Sequence, residues 1–186
     1  MDAEQVLRWA RSELTRPGQL KVGANLLYDL EALACEGVHV TGPFYDVQWA
    51  EALLDENAPS YSLEALAQKY LGEGKTSSAL YDWCARAYGG AATSKAQGGN
   101  IYRAPAALVG PYAEGDVDLP LRIMACQQPL LKEQGLLQLC DLEMRLMPML
   151  LAMRLRGARV DIERAQALDT ELAQRVEALR KQHGVD

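Results

Sequence analysis

Two short runs are all this chain offers as strands, and that scarcity constrains its architecture more than any other feature. LKVGAN reads as a short apolar strand that breaks at Gly23, and VHVTGPFYD reads as loop and short strand. Nearly everything else repeats its apolar residues at helical spacing. Residues 3–14 place Val6, Leu7, Ala10 and Leu14 on one face, and Pro17-Gly18 ends that segment. LLYDLEALACEG continues the first strand as a helix that stops at Gly37, a residue suited to a left-handed cap. VQWAEALLDEN and SLEALAQKYLG read as two short helices, the second opened by Ser62 and closed by Gly72-Glu-Gly74. From Gly72 to Gly110 the composition shifts to Gly, Ser, Thr, Lys and Gln. That stretch reads as a surface excursion with one helix at ALYDWCARAYG and a loop at AATSKAQGGN. A helix is expected from about Pro111 despite Pro120, then another with Leu139, Leu142, Leu146, Leu150 and Met153 near one face, ended at Gly157. A charge-laced helix follows from Ile162, and its abrupt stop at the end of the chain is expected of a piece of a longer protein.

Charge limits what such a chain binds. A net charge of −6 excludes a broad basic surface for nucleic acid, so any such contact must be local, metal-assisted or supplied by other segments. Cys35, Cys84, Cys126 and Cys140 stand far apart without a CxxC pair, which reads as four buried thiols and not as zinc ligands or disulfides. His39 and His183 read as isolated loop or tail residues. The longest apolar run, LMPMLLAM at 146–153, is too short to span a bilayer, and MDAEQVLRW has no signal-peptide pattern. A soluble, cytoplasmic protein is expected.

Chemistry concentrates in two motifs. In N25-L-L-Y-D29, Asn and Asp are four apart, so on a helix they share one face beside Tyr28 at the end of a strand. Y112-A-E-G-D116 gives a phenol and a carboxylate the same spacing. Two-ion hydrolysis of a phosphodiester needs converging carboxylates and a polar group that orients the attacking water. Asp29 and Asp116 suit the first role and Tyr112 the second. Each motif alone is weak, because helix dipoles favour acids in first turns anyway.

The flanking sequence resembles the 3′→5′ proofreading exonuclease domain of family A DNA polymerases, phage-type ones above all. KVGANLLYDLEAL at 21–33 is similar to that family's second exonuclease motif and YAEGDVDLPLRI at 112–123 to its third, with DVQWAEALLDEN and YSLEALAQKYLG matching the helices between them. EQGLLQLCDLEMRLMPMLLAMRLRGARVD at 133–161 is similar to the family's connection into the polymerase thumb. The resemblance implies an α/β, ribonuclease H-like exonuclease fold, truncated at its N-terminus and therefore mostly helical. It implies a partial exonuclease domain at 1–132 and connection plus first thumb helices at 133–186. Asp29 and Asp116 would carry Mg²⁺ or Mn²⁺, Tyr112 would position the water, and Asn25 and Tyr28 would lie along the single-stranded 3′ end of DNA. Lys69 would approach the phosphates, and the setting would be DNA replication, in the host cytoplasm if phage-encoded.

One departure is large. The family's first motif, an Asp-x-Glu on a strand well upstream of the Asn motif, is not matched. Asp2-Ala3-Glu4 spells it, but only 21 to 23 residues before Asn25 and at the opening of a helix, where Asp2 reads as an N-cap. The palm and fingers have no counterpart either. The isolated chain is therefore expected to be inactive, with an unpaired strand edge and an apolar face exposed. Two alternatives stand beside that reading: a split-polymerase subunit completed by the missing segments or a complementing chain, and a non-catalytic single-strand DNA-binding or structural module.

Overall fold

The structure is a computed structural model describing residues 2–74 and 77–184. The chain divides into two compact units, Met1–Ala152 and Met153–Asp186.

The first unit is built on a small parallel sheet. Helix α1 (Ala3–Leu14) precedes β1 (Lys21–Gly23), α2 (Leu26–Cys35) crosses over, and β2 (Phe44–Asp46) pairs with β1 in the register Lys21↔Phe44, Val22↔Tyr45, Gly23↔Asp46. Parallel strands need such a crossover, because a tight hairpin can only reverse the chain. Helices α3 (Val47–Leu54) and α4 (Leu63–Leu71) follow, capped by the side chains of Asp46 and Ser62. Helix α5 (Ser78–Tyr88), the single-turn α6 (Ser94–Gln97) and a 3-10 turn (Gly98–Arg103) make up the excursion, so AATSKAQGGN is not the loop its composition suggests. Thr93 caps α6, and Gln97 inside it is buried, donating to the carbonyls of Gly89 and Ala91.

Helix α7 (Ala106–Glu133) starts five residues earlier than expected and runs through Pro111, Pro120 and Pro129. Each proline removes a helical N–H donor and disfavours continuation. Burial of Leu119, Ile123 and Leu131 on one side overrides that local preference, as α7 packs against β1, α3 and α4. Helix α8 (Leu137–Arg156) adds Cys140, Met144 and Met147 to the same core. Its buried face is therefore not the expected one: Leu139, Leu142 and Met153 are exposed. Of the four thiols, Cys84 and Cys140 are buried, whereas Cys35 is exposed and Cys126 half-buried, which corrects the expectation of four buried thiols.

In the second unit, α9 (Ile162–His183) is capped by Asp161, whose carboxylate accepts from the Arg164 N–H at 2.9 Å, and no α9 side chain is buried. Among the described residues no helix is long and apolar enough to cross a membrane.

Candidate active-site cleft

The cleft forms where the sheet ends and helices begin. Gly23 closes β1 against Leu26, and a Cβ there would lie 2.6 Å from the Leu26 side chain, so any larger residue would force that side chain to shift where the strand meets α2. Asn25 then turns the chain in the left-handed region (φ 62°, ψ 43°), a conformation asparagine tolerates better than most residues. It is the N-cap of α2 and not a member of the helix, which corrects the expectation that it shares a helical face with Asp29. Its side chain makes no capping hydrogen bond.

The cap comes from elsewhere. Asp46, fully buried at the end of β2, accepts from the Leu26 N–H at 2.7 Å and from the Gln48 N–H at 2.8 Å, so one carboxylate caps both α2 and α3. Its own N–H donates to the Met144 thioether at 3.2 Å, which ties α8 to the same spot. Burial raises the Asp46 pKa, and the surrounding backbone N–H donors oppose that rise.

Asp29 and Asp116 do come together. They line one cleft of about 520 Å³ with Tyr28, Gly23, Leu26, Gln48, Ser62, Leu63 and Val117. Solvent reaches Asp29 at the mouth, yet desolvation by the surrounding protein raises its pKa, helped by the nearby charges of Asp116 and then Asp46. Like charges repelling across a cleft are what a cation would relieve. Tyr28 is exposed on the rim. Tyr112 stands one turn before Asp116 on α7, its ring edge-on to Tyr81 at 6.2 Å. Its phenol is pushed above its ordinary pKa by burial first, then by hydrogen bonding to Tyr81 and the charge of Asp116.

Lys69 lies outside the cleft lining. Its ammonium is 2.6 Å from Glu51 and 3.5 Å from Asp55. Glu51 is completely buried and also accepts from the Tyr70 hydroxyl at 2.7 Å and from Gln127 Nε2 at 2.9 Å. The same Gln127 nitrogen donates to the Val47 carbonyl at 2.9 Å, so α3, α4 and α7 are joined through one carboxylate. Asp46, Glu51 and Gln127 carry no prominent motif. Their signals are subtler: an acid ending an apolar strand before a helix, and polar residues at core positions of helical repeats.

Comparison with known proteins fits this geometry. The family model described as 3'-5' exonuclease, of family A DNA polymerases, matches residues 2–132. The chain belongs to the 3'-5' exonuclease domain family of the family A DNA polymerases. A DNA polymerase DpoZ of Salmonella phage PMBT28 is 36% identical over 162 residues, covering 87% of this chain and 26% of the relative. A DNA-directed DNA polymerase of Pseudomonas phage M6 is 37% identical over 150 residues, 80% of this chain and 22% of that one. DNA polymerase I of Pseudomonas aeruginosa is 30% identical over 186 residues, 98% of this chain and 19% of that one. The chain thus spans about a quarter or less of these polymerases. Exonucleases of this family generally use divalent metal ions. Two such ions demand several oxygen donors each. Among the described residues no group of three or more His, Cys, Asp or Glu could hold a metal, so Asp29 and Asp116 alone do not fit the two-ion set.

Proposed function

We infer that residues 1–132 are the C-terminal part of a ribonuclease H-like proofreading exonuclease domain, and that 133–186 lead into the polymerase thumb, within a polymerase that replicates DNA. The observation that carries this reading is the convergence of Asp29 and Asp116, 87 positions apart in sequence, on one cleft beside Tyr28. Asp29 and Asp116 contribute to a Mg²⁺ or Mn²⁺ site completed by carboxylates from outside this chain. Tyr112 orients the attacking water from the α7 side, and Asn25 and Tyr28 lie along the single-stranded 3′ end. Lys69 reaches a phosphate only by exchanging Asp55, the more distant of its two partners.

Electrostatics support DNA despite the acidic composition. The N-terminal turns of α2, α3 and α4 supply Asp29, Gln48 and Ser62-Leu63 to the cleft, so three positive helix-dipole ends face it. The 186-residue chain by itself is expected to hydrolyse DNA weakly or not at all, since its own donors do not make a two-ion cage. The test is magnesium-dependent digestion of a 3′-labelled single strand. Robust digestion that disappears in Asp116→Ala would overturn the half-site reading.

A second reading, completion in trans by a complementing chain, is favoured by the apolar groove beside β1. Trp9, Leu20, Val117 and Leu121 are exposed there although they line a groove of about 570 Å³. Recovery of nuclease activity on mixing with a separately made upstream exonuclease segment would support it. Strand binding that is indifferent to metal, with no such recovery, would point to a non-catalytic binding module instead.

A further inference from the structure

The excursion between α4 and α7 carries an exposed aromatic and basic cluster that the cleft does not use. The Arg103 guanidinium lies 5.3 Å from the centre of the Tyr88 ring and 5.1 Å from that of Tyr102, and its Nε donates to the Tyr102 hydroxyl at 2.6 Å. Trp83 stands edge-on to Tyr88 at 6.1 Å. Two rings thus flank one cation at the surface, with Tyr102 75% and Tyr88 44% exposed, and Trp83 backs the second of them. None of the four belongs to the main core cluster. Charge separates in the same direction. Residues 77–105 contain Arg86, Lys95 and Arg103 against Asp82, a net +2, which leaves −8 on the rest of a chain whose total is −6.

We propose that Tyr88, Tyr102 and Arg103 form a stacking platform for single-stranded DNA, separate from the Asp29/Asp116 cleft. Open π-faces hold bases without regard to sequence, a guanidinium strengthens such stacks, and local positive charge attracts the phosphates. That combination selects a flexible single strand, whose bases are free to stack, over a duplex, whose bases are not. The platform's position rests on the exonuclease reading. Tyr81, on the same helix as Tyr88, touches Tyr112. Seven residues of α-helix separate Tyr81 from Tyr88, a rise of about 10.5 Å. That corresponds to roughly three stacked nucleotides at about 3.4 Å each. The platform therefore holds the strand a few nucleotides behind a 3′ end lying in the cleft.

The experiment is fluorescence anisotropy of the full chain with labelled oligothymidylate of twelve nucleotides, in EDTA and low salt. Tyr102→Ala is expected to weaken binding at least about fivefold, the lower end of what one lost base stack costs. Tyr102→Phe retains the ring and binds close to wild type, and Arg103→Gln weakens binding and flattens the salt dependence. Because Tyr102 is exposed, the fold is not at risk, and circular dichroism checks this. Wild-type affinity in Tyr102→Ala, equal affinity for a duplex of the same length, or no binding by the wild type would each overturn the platform. Tyr28→Ala separates the two readings. Loss there with Tyr102→Ala silent overturns the platform and keeps the cleft, whereas the converse keeps the platform and removes the cleft's claim to the strand.

Discussion

Asp46 caps two helices at once because β2 ends where the N-termini of α2 and α3 converge, and its two oxygens each meet one backbone N–H donor, that of Leu26 buried and that of Gln48 partly so. Asp46→Ala removes an N-cap and leaves the Leu26 N–H without its acceptor. The expected loss is about 2–4 kcal/mol in urea denaturation. The pH dependence has a definite sign. Burial raises the folded Asp46 pKa above the unfolded value of 3.8, so the native state holds this proton more tightly than the unfolded chain does. Stability contributed by this group therefore grows as pH falls through the raised pKa, is complete below 3.8, and is lost as pH rises again. Asp46→Asn does not titrate there, so the wild type's advantage over it should widen between pH 7 and pH 4. A gap that narrows would contradict the assignment. At Asn25 the backbone and side chain separate cleanly: Asn25→Ala should cost about 1 kcal/mol through its left-handed conformation, and Asn25→Gly little. Asn25→Gly is thus the variant that tests the amide's part in strand binding. Asp29 and Asp116 were legible because each sits in a compact motif. Asp46 was not, since its partner Leu26 lies 20 residues upstream and only the crossover brings them together.

At the level of elements, Glu51 and Gln127 explain how α7 holds Tyr112 and Asp116 against the sheet. Val47, Ala50 and Glu51 form the buried face of α3, and Leu119, Ile123, Gln127 and Leu131 that of α7. Each helix thus sets one polar residue into an apolar repeat, where they pair with each other. Glu51→Ala strands the Tyr70 hydroxyl and one Gln127 bond, and is expected to cost about 2–3 kcal/mol in chemical denaturation. Lys69 adds little to that figure, because it is half exposed and regains water. Glu51→Gln, which keeps the shape and most hydrogen bonds, should cost clearly less; equal losses would mean that packing and not the polar network joins the helices. Element identity was legible wherever one helical face is apolar, as in α4 and α7. On α8 the pattern misled, since apolar residues surround the helix and periodicity then names no single inward face. The excursion's structure is not legible in its composition, because α6 depends on a side-chain cap and the buried Gln97, contacts that composition does not express.

At the scale of the whole molecule, the core cluster draws entirely on residues between Leu26 and Met147, all within the first unit, and α9 buries nothing. A chain ending after Gly157 keeps α8 intact, and the described residues it discards, 158–184, are all exposed. Its urea transition should stay cooperative, with stability within about 0.5 kcal/mol of the full chain, as expected for changes away from any core. What α9 does carry is a stripe of exposed Leu168, Leu172, Val176 and Leu179, spaced four, four and three apart on one side of the helix. Such a seam suits packing against another helix. Sedimentation velocity should therefore show concentration-dependent association of the full chain that the shortened chain lacks. Equal association of the full and shortened chains would show that the α9 stripe is not the seam.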